Sequence, residues 1–306
     1  DYLGVVCKQF PRYSEYYGTI KESGIGLACE EAARIILSEN RPFSMETAAC
    51  DEEYEPSSEY DSSFALQIFA AREAVFKILA KESLSIHEKL IVILDMGSKI
   101  QQCINTDEYD NIKSVVNDYL KEGIDHTLDE TRNLSDSGQF EDISLQQGIR
   151  QILYPYEEME VLNPEWEVIL KDIIDSLFEQ MSDEEYNILN EEFGTYMVSR
   201  AYEYRQLLEY LVFRYFAKSI YDYDFLGKCQ MLVTNFFVIR QMDIIRWLDN
   251  HREYSFKDRM DVVHIFSRQV EYSEDNIENL YEDFIFDDIF KTDSLIAILW
   301  IDSENI

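Results

Sequence analysis

Two cysteines near the start of the chain have surroundings that suit metal ligation. Cys7 stands in a short segment ended by Pro11, and Cys29 stands where the first helical pattern begins. A helix start lowers the pKa of a thiol, and thiolates hold iron–sulfur clusters, usually in sets of four. An isolated cysteine is more often a small buried apolar residue, so this pair alone is weak evidence. Structural zinc is the alternative for the same two ligands.

The remaining cysteines and the histidines show no comparable spacing. Cys50 lies in an acidic stretch without a partner at metal-binding distance along the chain. Cys103 and Cys229 lie among apolar residues of helical patterns and are predicted to be core residues. No metal role is assigned to any of the four histidines, which are His87, His126, His251 and His264.

The composition predicts an all-α protein. The chain has 306 residues, 46% of them hydrophobic, with only five prolines and ten glycines, which favours long helices and few or no strands. We expect a multi-helix bundle with a small irregular cysteine-bearing N-terminal segment. A Rossmann-type cofactor site is typically a strand followed by a glycine-rich turn, and the sequence shows no such pattern.

Charge and targeting signals restrict the partners. A net charge of -34 argues against nucleic acid and anionic membranes and favours cationic partners such as lysine-rich segments. Solubility is the alternative explanation of the acidity. No apolar run approaches the ~20 residues that span a bilayer, and an odd, irregular set of five cysteines fits a reducing compartment. The sequence thus predicts a cytoplasmic protein; the start at Asp1 predicts a truncated or processed form.

The helical patterns divide the chain into three parts. Residues 1–43 form a predicted cysteine-bearing cap, with a loop after Pro11 and one helix over 28–38. Residues 44–62 are acidic and serine-rich and are predicted to be a linker. Residues 63–306 form the predicted helical domain, in which 125–141 is weakly patterned. Its helices are predicted over 63–81, 86–103, 109–122, 145–153, 165–181, 184–221 (one or two helices), 227–250, 255–272 and 273–281.

Two stretches resemble the flagellin lysine N-methylase family. The first contains VVCKQFPRY at residues 5–13 and LACEEAAR at residues 27–34. The second runs from EYLV at residues 209–212 to HIFSRQVEYSEDN at residues 264–276. Glu30 stands where the family usually has proline, and Tyr272 where it usually has histidine. The match to the cysteine segments is the more specific of the two.

The resemblance implies the cofactors and the substrate. It implies a [4Fe–4S] cluster with Cys7 and Cys29 as two ligands, and further cysteines upstream of Asp1 that complete the cage. It also implies S-adenosylmethionine as methyl donor and flagellin as protein partner. We predict in addition that Arg12 and Arg240 bind the cofactor. Because this chain lacks those upstream cysteines, we do not expect it to build the complete site alone.

Methylation of lysine requires an unprotonated amine, so the site must orient the amine and lower its pKa. Arg268, Glu271 and Tyr272 lie at helical spacing with His264, and Tyr210 lies in the same matched stretch. We predict that Arg268, Glu271, Tyr272 and Tyr210 are catalytic. An Arg268–Glu271 ion pair that only ties helices together is an equally good explanation. The same ambiguity applies to Arg214, Arg240 and Asp243, and Tyr204 and Glu209 are further candidates.

The sequence therefore predicts a protein-lysine N-methyltransferase. The rival from another class is a noncatalytic acidic helical module that binds flagellin or another lysine-rich protein. A third possibility is redox or radical chemistry of the cluster itself.

Overall fold

The computed structural model describes residues 10–49, 61–136 and 143–304, with the side chains of 134–136 and 304 left aside. Almost all of this part of the chain is helical, so the predicted all-α class is confirmed. The helices are α1 Glu30–Leu37, α2 Ser62–Leu79, α3 Ile86–Asn105, α4 Ile112–Asp118, α5 Ile124–Asp136, α6 Leu145–Glu157, α7 Pro164–Ile173, α8 Asp183–Met197, α9 Ala201–Tyr215, α10 Ser219–Asp222, α11 Phe225–Asp249, α12 Phe256–Phe266, α13 Glu274–Phe286 and α14 Thr292–Glu304.

The prediction of a loop after Pro11 is wrong, because a β-hairpin occupies this segment. β1 (Arg12–Tyr17) pairs antiparallel with β2 (Ile20–Ile25), in a register that sets Tyr17 opposite Ile20. The connection is a two-residue turn, and Gly18 adopts a φ of 60° there, a left-handed conformation that costs glycine little.

The hairpin is fixed to the helices by ion pairs and a hydrogen bond. Arg72 of α2 donates to Glu22 at 2.6 Å, and Lys218 lies 3.2 Å from Glu15. Tyr221 of α10 donates from its hydroxyl to the Tyr16 carbonyl oxygen at 2.7 Å. Helix α1 follows the hairpin and packs on α9 and α12. The described part of the cap therefore lies directly on the helical domain.

Helix α11 forms the centre of the bundle, as its nearly all-round apolar sequence predicts. Almost every residue between Phe225 and Ile245 is buried, and α3, α7, α9 and α12 pack around it. The buried cysteines Cys103 and Cys229 confirm their predicted place in the core.

Serine capping boxes begin three of the helices at the predicted points. Ser85, Ser182 and Ser255 each accept a hydrogen bond from the backbone amide three residues later and start α3, α8 and α12. Two helices, α5 and α14, were not predicted. Helix α5 is polar along most of its length. The sequence before α14 contains apolar residues but no clear signal that a new helix begins there.

Three helices end in π-helical turns, which are rare in proteins and frequent at functional sites. The turns are Tyr119–Gly123, Ile174–Glu179 and Ser267–Glu271. The third one prolongs α12 and carries two of the predicted catalytic residues, Arg268 and Glu271. The helices of the described ranges include none long and apolar enough to cross a membrane.

Candidate functional site

A buried carboxylate shared by an arginine and a tyrosine forms the centre of the candidate site. The Glu271 side chain is fully buried, and its Oε2 accepts a hydrogen bond of 2.6 Å from Tyr210 Oη. Arg214 Nε lies 3.2 Å from the same oxygen, and Arg214 Nη1 donates to Tyr210 Oη at 3.3 Å. Tyr210 and Arg214 are one helical turn apart on α9. The contacts therefore tie α9 to the π turn after α12.

Hydroxyl groups lie close to this carboxylate, although Glu271 Oε1 has no hydrogen-bond partner among the described residues. Arg214 Nε donates to Tyr215 Oη at 3.0 Å, and the hydroxyls of Tyr215 and Ser267 lie beside Glu271. Burial raises the pKa of Glu271 above its usual range, and the charge of Arg214 only partly offsets this. We call Tyr210, Arg214, Tyr215 and Glu271 the Glu271 cluster.

The cap approaches the Glu271 cluster at Gly26 and Leu27. The Leu27 amide donates to Tyr210 Oη at 3.4 Å, and the Gly26 amide donates to the Pro11 carbonyl at 2.8 Å. The guanidinium of Arg214 lies 4.5 Å from the centre of the Tyr13 ring, a cation–π distance. The backbone of the cap thus bonds directly to the buried cluster.

Cys29 lies close to this contact. It is a half-buried free thiol at the N-cap of α1, where its carbonyl accepts from the Ala33 amide at 2.9 Å. Burial raises the pKa of the nearby Tyr272, and negative charge on Glu271 and Cys29 adds to this effect while Arg214 opposes it. Cys29 and Tyr272 are therefore neighbours on the rim of the Glu271 cluster.

The described residues do not by themselves fit an iron–sulfur cluster. They include no group of three or more His, Cys, Asp or Glu that could hold a metal ion. Cys29 supplies one thiol where such a cluster usually needs four, and Cys7 and Cys50 lie outside the described residues. Ligation by Cys7 and Cys29 stays a prediction, and no chemical step is derived through a cluster.

A cleft of about 380 Å³ opens beside the Glu271 cluster, within the range of small-ligand sites. The hairpin, α1, residues 41–46 and α9 form its walls. Six of the fourteen residues that line the cleft are aromatic or acidic, namely Tyr13, Phe43, Glu46, Glu209, Tyr210 and Phe213, and the others include one cation, Arg41. The rings lie near one another, since Phe213 is 5.8 Å from Phe43 and 6.5 Å from Tyr13 between ring centres. Such a lining suits a cation.

Glu209 brings a nearly buried carboxylate to this cleft. Its side chain is 3% exposed, and Oε1 accepts from Arg205 Nη1 at 2.7 Å. Burial raises the pKa of Glu209, while the charge and hydrogen bond of Arg205 lower it. Arg205 also donates to Asn40 Oδ1 at 2.9 Å and to the Arg41 carbonyl at 3.1 Å. The same arginine therefore fixes both the carboxylate and the chain segment that closes the cleft.

The structure separates the predicted catalytic residues into two groups. Tyr210, Glu271 and Tyr272 lie together around Arg214, whereas Arg268 is exposed to solvent. The predicted Arg268–Glu271 pair is wrong, because Glu271 pairs with Arg214 of α9 instead. The π turn is wider than an α-helical turn, so residues three apart in it do not face the same neighbour.

The two predicted cofactor-binding arginines lie apart from each other. Arg12 is exposed at the start of β1. Arg240 is buried inside α11 and donates to the Asn190 side chain at 3.0 Å, with Asp302 Oδ2 at 3.8 Å. His87 Nε2 completes this network, 2.6 Å from Asp302 Oδ2. These contacts give Arg240 a structural role in the core, and the cofactor role of both arginines stays a prediction.

Comparison with known proteins gives the family. The family model described as FliB lysine N-methylase C-terminal domain matches residues 72–298. The chain belongs to the FliB lysine N-methylase family. Searches of curated proteins and of solved structures found no match. Tyr210, Arg214 and Glu271 lie inside the region that matches the FliB model, while Tyr13 and Cys29 precede it.

Several residues of the site in this FliB family member were not predicted from the sequence. Tyr13, Tyr215 and Phe213 were not proposed for the site, although aromatic residues follow one another closely around position 213. Arg214 was noted only as a charge inside an apolar helix. Its spacing of four residues from Tyr210 was the available signal, since that spacing sets both side chains on one face of α9.

Proposed function

We propose that this chain is part of a protein-lysine N-methylase and that the cleft beside Tyr210 receives the side chain of the lysine to be methylated. The observation that supports this most is the buried carboxylate of Glu209 in an aromatic-walled cleft. Membership of the FliB lysine N-methylase family and a net charge of -34, which attracts cationic protein segments, support the same function.

The lysine ammonium enters the cleft as a cation, lies against the aromatic wall that Tyr13 and Phe213 form, and pairs with Glu209. Aromatic faces attract ammonium groups, and transfer from water into the cleft lowers the pKa of the lysine. Burial meanwhile raises the pKa of Glu209. Both shifts favour movement of the proton from the lysine nitrogen to the Glu209 carboxylate. The nitrogen lone pair then becomes available for attack on a methyl carbon.

The Glu271 cluster holds the walls of the cleft in place. Tyr210 lines the cleft and is bound to Glu271 behind it, and Arg214 supports the Tyr13 ring from the other side. A misplacement of about 1 Å in such a site reduces the rate strongly. We assign Tyr210, Arg214 and Glu271 to positioning, with Glu209 as the proton acceptor.

S-adenosylmethionine, the donor implied by the resemblance, would supply an electrophilic methyl carbon on a positively charged sulfur. The aromatic and acidic lining of the cleft suits this cation as it suits the lysine ammonium. Flagellin is the proposed protein substrate, on the basis of the same resemblance.

Replacement of the proposed proton acceptor tests the function. The full-length protein that contains Glu209→Gln is incubated with S-adenosylmethionine and flagellin, and methylation is measured by mass spectrometry. We expect methyl incorporation to fall at least a hundredfold, within the usual range for loss of an acid–base group. Glu191→Gln on the exposed surface of α8 is the matched control and should keep full activity. Equal activity of both variants would contradict the proposal.

We also propose that Cys29 is a ligand of an iron–sulfur cluster together with Cys7. Its half-buried thiol at a helix start, on the rim of the candidate site, supports this. In anaerobically purified full-length protein, Cys29→Ser should lose iron and the visible absorbance of a cluster, while Cys103→Ser in the core should keep both. Zinc in place of iron, or iron unchanged in Cys29→Ser, would reject the assignment.

The alternative function is a noncatalytic module that binds a lysine-rich protein through its acidic surface. The charge of -34 favours it as well. Flagellin that binds without any methyl incorporation would support this module over the methylase.

A further inference from the structure

A second cavity lies on the far side of the segment that closes the cleft. It measures about 560 Å³ and lies between the end of α2, the start of α3 and the start of α9. Arg205 and Pro42 form part of its wall, and Pro42 also lines the first cleft. In a protein with a net charge of -34, this cavity contains two cationic side chains, Lys89 and Arg205.

Lys89 is the unusual feature of this cavity. The residue is 5% exposed, yet within the described residues its ammonium makes no hydrogen bond and no ion pair within 4 Å. The other buried lysines and arginines of the described ranges, which are Arg72, Lys228, Arg240 and Arg259, each have a carboxylate oxygen within 4 Å. Lys89 therefore brings a positive charge to the cavity without a carboxylate beside it. An anion in the cavity would supply the missing partner.

The lining contains one carboxylate, Glu82, but several of its other groups favour an anion. Ser85 and Ile86 at the start of the twenty-residue helix α3 line it, and the first amides of a helix carry partial positive charge. Arg205 adds a guanidinium that is 12% exposed and donates to Glu209 through Nη1. Tyr202 contributes a half-buried ring with a hydroxyl group.

We propose that this cavity binds a small anion that bears a carboxylate or phosphate group, with Lys89 as its main ligand and Arg205 as the second. The ligand has an apolar portion as well, because Ala80, Leu84 and Ala201 line the same cavity. This site lies across the 39–43 segment from the cleft assigned to lysine. Its existence therefore does not depend on the methylation function.

Calorimetric titration of the purified chain with inorganic phosphate and, separately, with succinate tests the proposal at constant ionic strength. We expect saturable binding of at least one of these anions, and the preferred one identifies the group that the natural ligand carries. Lys89→Met should weaken this binding at least tenfold. Lys113→Met, which removes an exposed lysine of α4, should leave it unchanged.

A second variant separates loss of charge from loss of structure. Lys89→Arg keeps a cation at the cavity and should retain most of the binding, whereas Lys89→Met should not, with both variants folded by circular dichroism. If neither anion binds the wild-type chain saturably, or if Lys89→Met binds as the wild type does, the proposal is wrong. If Lys89→Met does not fold, the wild type and Lys89→Arg decide the test. Anion binding by both proteins supports the site, and absence of binding rejects it.

The dependence of binding on pH gives an independent measurement. Burial and the neighbouring Arg205 lower the pKa of Lys89, while the charges of Glu209, Glu82 and Glu88 raise it. Only the ammonium form attracts an anion, so the affinity for succinate should begin to fall at a lower pH than that at which ordinary lysines lose their proton. Affinity that stays constant up to the pH at which ordinary lysines lose their proton, about 10.4, would contradict a dominant role of Lys89.

Discussion

Two buried clusters with nearly the same chemistry differ in what surrounds them. In the Glu271 cluster, Arg214 and Tyr210 share one carboxylate. In the second cluster, Arg259 Nη1 lies 2.6 Å from Asp243 Oδ2, and Tyr204 donates to the same oxygen at 2.6 Å. We call this second group, which consists of Glu203, Tyr204, Asp243, Tyr254 and Arg259, the Asp243 cluster.

The Asp243 cluster is closed within the bundle. The Arg259 and Asp243 side chains are at most 1% exposed, and Arg259 Nε donates to Glu203 at 3.0 Å. The cluster joins α9, α11 and α12, and its residues line none of the cavities beside the cap. The Glu271 cluster instead touches the cap, the cleft and the neighbourhood of Cys29. An arginine–carboxylate–tyrosine group is therefore not by itself a sign of a functional site, and the adjoining cleft is what distinguishes the Glu271 cluster from the Asp243 cluster.

The largest effect is expected in the closed cluster. Arg259→Met leaves the Asp243 carboxyl buried without its cation, which typically costs about 3–5 kcal/mol. Denaturant unfolding should show this loss in the free energy of unfolding. A loss below about 1 kcal/mol would show that the ion pair of the Asp243 cluster does not contribute substantially to the stability of the bundle.

Another buried carboxylate, that of Asp302, should give a smaller change in stability, and the sign of its pH dependence is defined. Burial opposes its ionisation, but the charges of Arg240 and His87 lower its pKa to about 2. Because the folded pKa lies below the usual value, Asp302 stabilises the fold above about pH 4, and this stability is lost as the pH falls toward 2. The shift corresponds to about 2 kcal/mol.

Comparison with Asp302→Asn isolates this contribution. The wild type should lose more stability than the variant between about pH 4 and pH 2, as measured by unfolding at each pH. Burial raises the pKa of Asp243 and Glu271, so these two groups act in the opposite direction. Equal pH dependence in the wild type and the variant would contradict the assignment.

Arg214→Met should cost less stability than Arg259→Met. Arg214 is 15% exposed, and Glu271 keeps its hydrogen bond from Tyr210, so we expect a loss of about 1–3 kcal/mol. The loss should be local to the cap. Limited proteolysis should cut the 10–49 region faster in Arg214→Met than in Arg259→Met at equal fractions of folded protein. Equal cleavage would show that the Glu271 cluster does not fix the cap.

The smallest effect is expected for Arg268→Ala. Arg268 is exposed, and Glu271 pairs with another residue, so stability should change by less than about 0.5 kcal/mol. Thermal unfolding measures this. A larger loss of stability would support the Arg268–Glu271 ion pair that was predicted from the sequence.

Local sequence signals predicted the class of the fold and most helix starts. Ser85, Ser182 and Ser255 each mark a helix start by a capping box of four residues. Helix α11 is recognised by its apolar composition. The hairpin was missed because its strands are short and half-exposed. Its two-residue turn at Gly18 was the only strong local signal.

The site was predicted in part, because its geometry depends on contacts between distant residues. Glu271 was proposed from its helical spacing and Tyr210 as a further candidate, and the two meet although 61 residues separate them. Arg268 was predicted as the partner of Glu271 from α-helical spacing. That spacing does not apply where α12 continues into the π turn. Lys89 carried no signal at all, since its lack of a partner is a property of the folded chain.

Hydrogen–deuterium exchange with a lysine-containing flagellin peptide tests the position of the lysine site directly. Residues 41–46 have no regular secondary structure, and they line the proposed cleft. Binding of the peptide should slow exchange in these residues and around Glu209, whereas an alanine-substituted peptide should not. Protection confined to other surfaces, with residues 41–46 unchanged, would contradict the assignment of this cleft to lysine.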